Sequence, residues 1–176
     1  MGTWKTRGLR GSELEESLNM TNEKYREQNL ALVQKIPTPI TPMEFDKEHH
    51  HITLAYFEKK STVDYLGVVQ GVPVCFDAKE CATDTFRLSN IHPHQIQYMT
   101  DFEAQGGVAF IIIYFSHKNL YYYLPYVEMM RFIKRSEDGG RKSFLIDELD
   151  AGWQIATKNQ IFIHYLEALS RDLEMR

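Results

Sequence analysis

The spacing of apolar residues near the start of the chain predicts an amphipathic helix. Four of them recur at helical spacing, at Leu14, Leu18, Tyr25 and Leu32. Ser12 and Glu15 stand three residues apart where this pattern begins, as in a capping box. Pro37 and Pro39 cannot continue a helix, so we expect a strand near 31–35 to follow it.

Two runs rich in Val, Phe and Tyr predict a β-hairpin in the middle of the chain. They cover 62–69 and 72–79, and Gln70-Gly71 between them suits a two-residue turn. The run 108–115 is continuously apolar, which is typical of a strand buried on both faces. The remaining patterns predict a strand over 120–124 and helices over 91–105, 125–135 and 161–175. This order of elements predicts an α/β fold, in which a mixed sheet is flanked by helices.

The segment from Pro37 to Lys60 follows none of these patterns. It contains three prolines, an acidic stretch and three adjacent histidines, but too few large apolar residues for a core. We therefore expect a protruding hairpin or a long connection. On a strand only His49 and His51 would point to the same face and share a metal ion. We favour instead a polar surface that gains charge below about pH 6.5.

Composition narrows the class of protein. With 176 residues, 43% of them hydrophobic and 25% charged, the chain suits one folded domain and is not disordered throughout. The net charge of −4 argues against coating nucleic acid by bulk charge, although it allows a local basic footprint. The strongest apolar run, 108–115, is far too short to cross a membrane, so no membrane role is expected. Cys75 and Cys81 suit reduced thiols, and we expect a cytoplasmic protein.

The predicted hairpin brings four chemically useful side chains to one face. A two-residue turn places Asp64 opposite Asp77 and Thr62 opposite Lys79, because facing positions lie equally far from the turn. Carboxylates directly opposite each other destabilise a sheet unless a cation compensates them. Lys79 supplies an ammonium group, and the two carboxylates with the Thr62 oxygen suit a hard metal ion such as Mg²⁺. Spacing alone leaves open an exposed hairpin face with solvated charges.

Asp64, followed by Asp77-Ala78-Lys79 on the paired strand, resembles the metal-binding core of the PD-(D/E)XK nuclease superfamily. More narrowly, the chain resembles the RecU family of Holliday-junction resolvases almost from end to end. Further similar pieces are Arg10-Gly11, Leu14-Glu15, Pro37-Thr38-Pro39, Ala55-Tyr56-Phe57, His94-Gln95-Ile96 and Gly140-Arg141-Lys142-Ser143. The resemblance implies one nuclease domain over 1–176, with a restriction-endonuclease-like mixed sheet flanked by helices and a protruding stalk.

The resemblance also assigns roles to individual residues. The positions that match the family's magnesium site are Thr62, Asp64, Asp77 and Gln95. Lys79 matches the family's transition-state stabiliser, and Glu15 matches a carboxylate that nucleases of the superfamily often add from the first helix. Asp77 departs from the family's usual Glu by one methylene but remains an oxygen ligand. The implied cofactor is Mg²⁺, for which Mn²⁺ can substitute.

Basic residues in three places are candidates for contact with DNA. The pairs are Arg7 and Arg10 in a short arm over 1–10, Lys59 and Lys60 at the end of the stalk, and Arg141 and Lys142 in a polar loop. Residues 39–60 match the family's stalk, which implies a protrusion that enters the junction centre. Ordinary solubilising charge is the alternative for the arm, and a solvated face is the alternative for the loop.

The resemblance implies a structure-selective endonuclease that resolves four-way (Holliday) junctions in recombination and repair. Paired symmetric nicks that leave 5′-phosphates and 3′-hydroxyls need two active sites, so a C2 homodimer is implied. Family members also act with the recombinase and the branch-migration motor. Three alternatives stay open: a nuclease for flaps or duplex ends, a junction-binding or recombinase-modulating protein with weak or no cleavage, and an interaction domain without a nucleic-acid role.

Overall fold

The helices and the longer strands follow one another along the chain in the order that the residue pattern predicts. The structure is a computed structural model that describes residues 13–57, 62–158 and 161–176. Its helices are α1 (Glu13–Glu27), α2 (Pro93–Ala104), α3 (Tyr126–Glu137) and α4 (Leu166–Glu174). Its strands are β1 (Leu32–Lys35), β2 (Ile40–Asp46), β3 (His51–Phe57), β4 (Tyr65–Val69), β5 (Val72–Cys81), β6 (Thr85–Arg87), β7 (Val108–Phe115), β8 (Leu120–Pro125), β9 (Ser143–Leu145) and β10 (Gln154–Ile155). None of these described helices is long and apolar enough to span a lipid bilayer.

Six strands form a mixed sheet at the centre of the molecule, in the order β1-β4-β5-β7-β8-β10. β5 and β7 run parallel, and the other neighbouring strands are antiparallel. Every residue of β7 is buried, because this strand lies between β5 and β8 with α2 and α3 packed against it. The predicted mixed sheet flanked by helices is therefore confirmed.

The hairpin of β4 and β5 has the predicted two-residue turn. Gln70 and Gly71 both have a positive φ, 46° and 91°, as the central residues of a type I′ turn require. From this turn the pairing runs without a shift to Tyr65 and Phe76. The register matters because a slip of one residue would turn Asp77 to the opposite face of the sheet.

A row of aromatic rings crosses one face of the sheet and forms the centre of the core. Neighbouring ring centroids are 4.3 to 5.6 Å apart along the row, which runs through Tyr65, Phe76, Phe110, Tyr123 and Trp153. The Tyr65 hydroxyl donates to a backbone oxygen of α1 and the Tyr123 hydroxyl donates to Asp172 of α4, so both helices cover this face. Because successive residues of β5 point to opposite faces, Asp77 lies on the other face, toward α2.

The strands β2 and β3 pair with each other in a separate two-stranded sheet whose side chains are mostly exposed. The predicted hairpin in this segment is therefore confirmed. Asp46 holds its turn, since its carboxylate accepts hydrogen bonds from the backbone of Glu48 and His49 and from Nδ1 of His49. The His49 side chain, followed by the backbone N–H groups, lowers the pKa of Asp46.

The predicted start of the last helix is wrong. The helix begins at Leu166 and not at 161, because Ile161, Ile163 and Tyr165 are buried at alternate positions, a period that one helix face cannot bury. The sequence pattern also missed the ribbon of β6 and β9 and the edge strand β10, since two or three residues are too few to show a period.

The strand predicted near 31–35 is confirmed as β1, although the apolar stripe predicted for the first helix includes Leu32. The helix ends at Glu27, and Asn29 then takes a left-handed conformation with a φ of 56°. Leu32 consequently lies on β1 with its side chain exposed, and is not part of the helix. The predicted capping residue, Ser12, lies outside the described residues.

Candidate active site

Asp64 lies one residue before β4, next to Asp77 of β5 but outside the ladder of the two strands, which ends at Tyr65 and Phe76. The backbone N–H of Asp64 donates a hydrogen bond to Oδ1 of Asp77 at 2.9 Å, and that of Ala78 donates to Oδ2 of Asp64 at 3.0 Å. Each carboxylate is therefore fixed by a backbone N–H of the opposite chain segment. Two like charges are held close together on the face of the sheet that α2 covers.

Asp77 is completely buried, and its second oxygen is poorly satisfied. Oδ2 lies 3.4 Å from the Lys79 ammonium but forms no hydrogen bond with any described residue. Burial raises the pKa of Asp77 to about 6, against the effect of the Lys79 charge, and the Asp64 carboxylate adds to the rise. A buried carboxylate oxygen without a hydrogen bond is uncommon in folded proteins and is suited to binding a cation.

Lys79 lies between Asp77 and the start of α2. Its ammonium group donates a hydrogen bond to Oε1 of Gln95 at 3.2 Å, and its side chain is only 15% exposed. Gln95 is the third residue of α2, and the same Oε1 accepts the backbone N–H of His92 at 3.0 Å. The structure therefore brings Gln95, a residue that sequence spacing alone could not place, into the group formed by Asp64, Asp77 and Lys79.

The predicted pairing of Thr62 with Lys79 is not part of the sheet. The ladder of β4 and β5 ends at Tyr65, because the backbone N–H of Asp64 is bonded to the Asp77 side chain and its backbone oxygen accepts the N–H of Ile36. Thr62 is exposed just before this point. The arrangement of carboxylates and amine thus forms at the end of the ladder, with Thr62 outside it.

Glu15 lies on the α1 side of the same region. Its carboxylate accepts a hydrogen bond from Lys35 at 2.6 Å, and its backbone oxygen accepts the Tyr65 hydroxyl. Burial, followed by the charges of Glu15 and Asp64, raises the pKa of Tyr65. Sequence reasoning did not foresee the pairing with Lys35, which depends on α1 packing against β1.

The predicted DNA contacts are only partly within the described residues. Arg7, Arg10, Lys59 and Lys60 lie outside them. Arg141 and Lys142 are exposed in the loop before β9, and the backbone oxygen of Lys142 accepts the N–H of Leu88, four residues before His92. The basic loop is therefore joined to the segment that leads into α2. Arg135, near the end of α3, donates hydrogen bonds to the Glu148 carboxylate and to the backbone oxygen of Ser143.

No group of three or more His, Cys, Asp or Glu side chains in the described part of the chain is arranged to hold a metal ion. The ring centroids of His49 and His51 are 6.0 Å apart. Nδ1 of His49 lies 2.9 Å from Oδ2 of Asp46, and Nε2 of His51 lies 3.9 Å from the same oxygen. At Asp64 and Asp77 there are two carboxylates, which suffices for Mg²⁺ because this ion usually keeps several water ligands.

Comparison with known protein families decides where the chain belongs. A family model described as RecU, Recombination protein U, matches residues 9–171. The chain belongs to the RecU family. It is 40% identical to the Holliday junction resolvase RecU of Pediococcus pentosaceus over 95% of this chain and 86% of that protein. It is 38% identical to the Holliday junction resolvase RecU of Lactococcus lactis subsp. lactis over 99% and 85% of the two chains.

Among solved structures, the chain is similar to Hjc, a Holliday junction resolvase from Archaeoglobus fulgidus. The two chains share 9% sequence identity and superpose with a TM-score of 0.42. The match covers 66% of this chain and 73% of Hjc. The assignment to the RecU family therefore rests on the family model and on the similar relatives.

Proposed function

We propose that the chain is a metal-dependent endonuclease that resolves four-way DNA junctions by paired symmetric nicks. Relatives in the RecU family carry the name Holliday junction resolvase, and Asp64, Asp77 and Lys79 lie together at one site in this chain. The observation that carries the proposal is the buried Oδ2 atom of Asp77, which faces the Lys79 ammonium and forms no hydrogen bond with a described residue.

The oxygen atoms at the site fit a hard divalent cation. Mg²⁺ binds through one or two carboxylates and fills its remaining positions with water, and Asp64 and Asp77 supply two carboxylates. A cation would also satisfy the Oδ2 atom of Asp77. We propose Mg²⁺ as the natural ion and Mn²⁺ as a substitute, with the Thr62 hydroxyl group as a further candidate ligand. A bound divalent cation lowers the pKa of a water molecule and polarises a phosphate group.

Lys79 supplies fixed positive charge close to the two carboxylates. Its ammonium group is largely shielded from water, where a charge acts more strongly than in solvent. Lys79 would stabilise the negative charge that builds up on the phosphoryl oxygens during cleavage. The products would be a 5′-phosphate and a 3′-hydroxyl.

Glu15 is proposed as an additional carboxylate on the α1 side of the site. Its salt bridge with Lys35 is partly exposed, with 24% and 36% of the two side chains accessible. Partly exposed ion pairs contribute little stability, so a cation can compete for Glu15 and a DNA phosphate can compete for Lys35. The pair therefore gives the site a carboxylate and an amine that bound substrate can separate.

The wider arrangement follows from the need for two cuts. Two symmetric nicks require two active sites, and we propose a C2 homodimer with one site in each chain. Arg141 and Lys142 would contact phosphates, the hairpin of β2 and β3 would enter the junction, and Arg7, Arg10, Lys59 and Lys60 would add contacts. We also propose that the protein acts in the cytoplasm and that it interacts with a recombinase and a branch-migration motor.

A nicking assay tests the proposal directly. The protein is incubated with a four-way junction or with a linear duplex of the same sequence, in Mg²⁺ or in a chelator. We expect symmetric nicks in the junction with Mg²⁺, and none in the duplex or in the chelator. The matched variant Lys79→Ala should bind the junction with unchanged affinity and fail to nick it.

Each other outcome points to a different function. Equal cleavage of the linear duplex would indicate a nuclease without junction selectivity. Junction binding without Mg²⁺-dependent nicking would indicate a junction-binding or recombinase-modulating protein. Failure to bind any DNA at about 50 mM salt would indicate an interaction domain, because low salt favours phosphate contacts.

A further inference from the structure

Gln95 is a buried polar residue in a defined position of the fold. Its side chain belongs to the third residue of α2, and only 6% of the residue is accessible to solvent. Pro93 begins the helix, and the backbone N–H of Gln95 is bonded to the backbone oxygen of His92. The side chain is therefore held by the first turn of a twelve-residue helix, with Oε1 directed at Lys79.

The hydrogen bonds of Oε1 use the full capacity of this atom. An amide carbonyl oxygen has two lone pairs. One accepts the backbone N–H of His92 at 3.0 Å, and the other accepts the Lys79 ammonium at 3.2 Å. A metal ion could be coordinated by Oε1 only if one of these bonds were broken.

The ion pair of Lys79 with Asp77 is longer than an ordinary charge-assisted hydrogen bond, so it holds the ammonium loosely. Nζ is 3.4 Å from Oδ2 of Asp77, but this oxygen forms no hydrogen bond with a described residue. A lysine side chain has a flexible four-carbon stem and three rotatable donors. The Gln95 Oε1 atom, at 3.2 Å, accepts a hydrogen bond from this ammonium, and Asp77 provides a nearby charge.

We propose that the Gln95 side chain is a positioning group that orients Lys79, and that its Oε1 atom is not a ligand of the metal ion. The inference rests on the proposed nuclease function and assigns one of its residues a different task from the one that the family resemblance implies. The first turn of α2 holds the Gln95 side chain in place, and Gln95 orients the Lys79 ammonium. Lys79 would then stabilise the charge on the phosphate. An ammonium group that is already oriented before the substrate binds loses little conformational entropy on reaching the transition state.

The test compares Gln95→Met with Gln97→Met, using the full chain. Methionine has the length of glutamine but no amide oxygen. Gln97 lies two residues along the same helix, is exposed, and bonds only to Asp101 among the contacts described for its side chain. The measurements are Mn²⁺ affinity without DNA, the rate of acetylation of Lys79 in the metal-free protein, and the single-turnover nicking rate on a bound junction.

For Gln95→Met we expect an Mn²⁺ affinity within about threefold of the wild type, and a nicking rate lower by about 10- to 100-fold, comparable to the cost of removing a group that orients a metal ligand. Acetylation of Lys79 should become several times faster, because the ammonium loses a partner. Gln97→Met should change none of the three. If the substitution only disturbed the structure of α2, faster acetylation of Lys79 would be accompanied by a loss of Mn²⁺ affinity.

Gln95→Glu keeps an oxygen acceptor for both N–H groups, so it should recover most of the nicking rate lost in Gln95→Met. It also guards against a folding defect in the methionine variant. A tenfold or greater loss of Mn²⁺ affinity in Gln95→Met, or unchanged acetylation of Lys79, would overturn the positioning role.

A wild-type protein that nicks no junction would contradict the proposed function instead. The Mn²⁺ and acetylation measurements need no DNA, so they would still decide whether Gln95 orients Lys79.

Discussion

The backbone N–H of Asp64 holds one carboxylate oxygen of Asp77 at 2.9 Å, and the other oxygen of Asp77 is left buried without a hydrogen bond to a described residue. This relationship follows from the hairpin, because the ladder of β4 and β5 ends at Tyr65, which directly follows Asp64 in the chain. The fold thus keeps an ionisable group in an unfavourable environment. A loss of folding stability of this kind is common at functional sites, where ionisable groups are held in the arrangement that binds a ligand.

The first prediction concerns stability without metal. The pKa of Asp77, raised to about 6 by burial, lies above its value in an unfolded chain, so the ionised group destabilises the fold. This penalty is full above about pH 6 and is lost as the pH falls toward 4. Asp77→Asn removes it. In a chelator, the advantage of Asp77→Asn over the wild type should be larger at pH 8 than at pH 5 by about 1 kcal/mol.

Urea unfolding of both proteins at the two pH values measures this difference together with any change at the neighbouring Asp64 and Lys79, because only groups distant from Asp77 cancel in the comparison. An advantage of Asp77→Asn that is equal at both values, or larger at pH 5, would show that burial does not disfavour the charge of Asp77.

The second prediction addresses the departure of this chain from its family. Asp77→Glu restores the residue that the family usually carries and keeps a carboxylate beside Lys79. We expect the junction-nicking rate to stay within about tenfold of the wild type, since either acid supplies an oxygen ligand. The rate is measured with saturating protein and Mg²⁺. A folded but inactive Asp77→Glu protein would show that the site depends on the shorter side chain.

The third prediction separates Glu15 from the two aspartates. Glu15→Gln should lower the single-turnover nicking rate by about tenfold while leaving junction affinity unchanged, because its carboxylate lies on the α1 side and is partly engaged by Lys35. Asp77→Asn should abolish nicking in the same assay. An unchanged rate in Glu15→Gln would exclude the proposed role, and complete loss would make Glu15 as essential as Asp77.

The fourth prediction concerns the basic loop. Arg141→Ala combined with Lys142→Ala should weaken junction binding and reduce the slope of log affinity against log salt by about 2, as expected for two lost phosphate contacts. The control is Lys24→Ala with Arg26→Ala, which removes the same charge from an exposed face of α1, where Glu27 and Glu23 pair with these residues. Equal effects of both double variants would indicate bulk charge and not a phosphate-contacting surface.

The hairpin that carries the two aspartates could be predicted from the sequence because a local rule fixes it. Gln70 and Gly71 accept the left-handed conformations of a two-residue turn, and the turn then determines which residues face each other. The long apolar run of β7 and the helix that ends before Gly106 are local patterns of the same kind.

The remaining parts of the site depend on contacts between distant segments. Gln95 reaches Lys79 only because α2 packs across β5 and β7, and Lys35 reaches Glu15 only because α1 packs on β1. The resemblance to the RecU family identified Gln95, but no residue spacing showed which atom it contacts. Thr62 stayed outside the ladder because the Asp77 side chain occupies the backbone N–H of Asp64.

The most direct test of the central claim is anomalous diffraction from a crystal of the protein soaked in Mn²⁺. We predict a manganese peak in contact with a carboxylate oxygen of Asp64 and with Oδ2 of Asp77, and no such peak in Asp77→Asn. A well-ordered site without manganese between these two side chains, or manganese bound only elsewhere, would contradict the account.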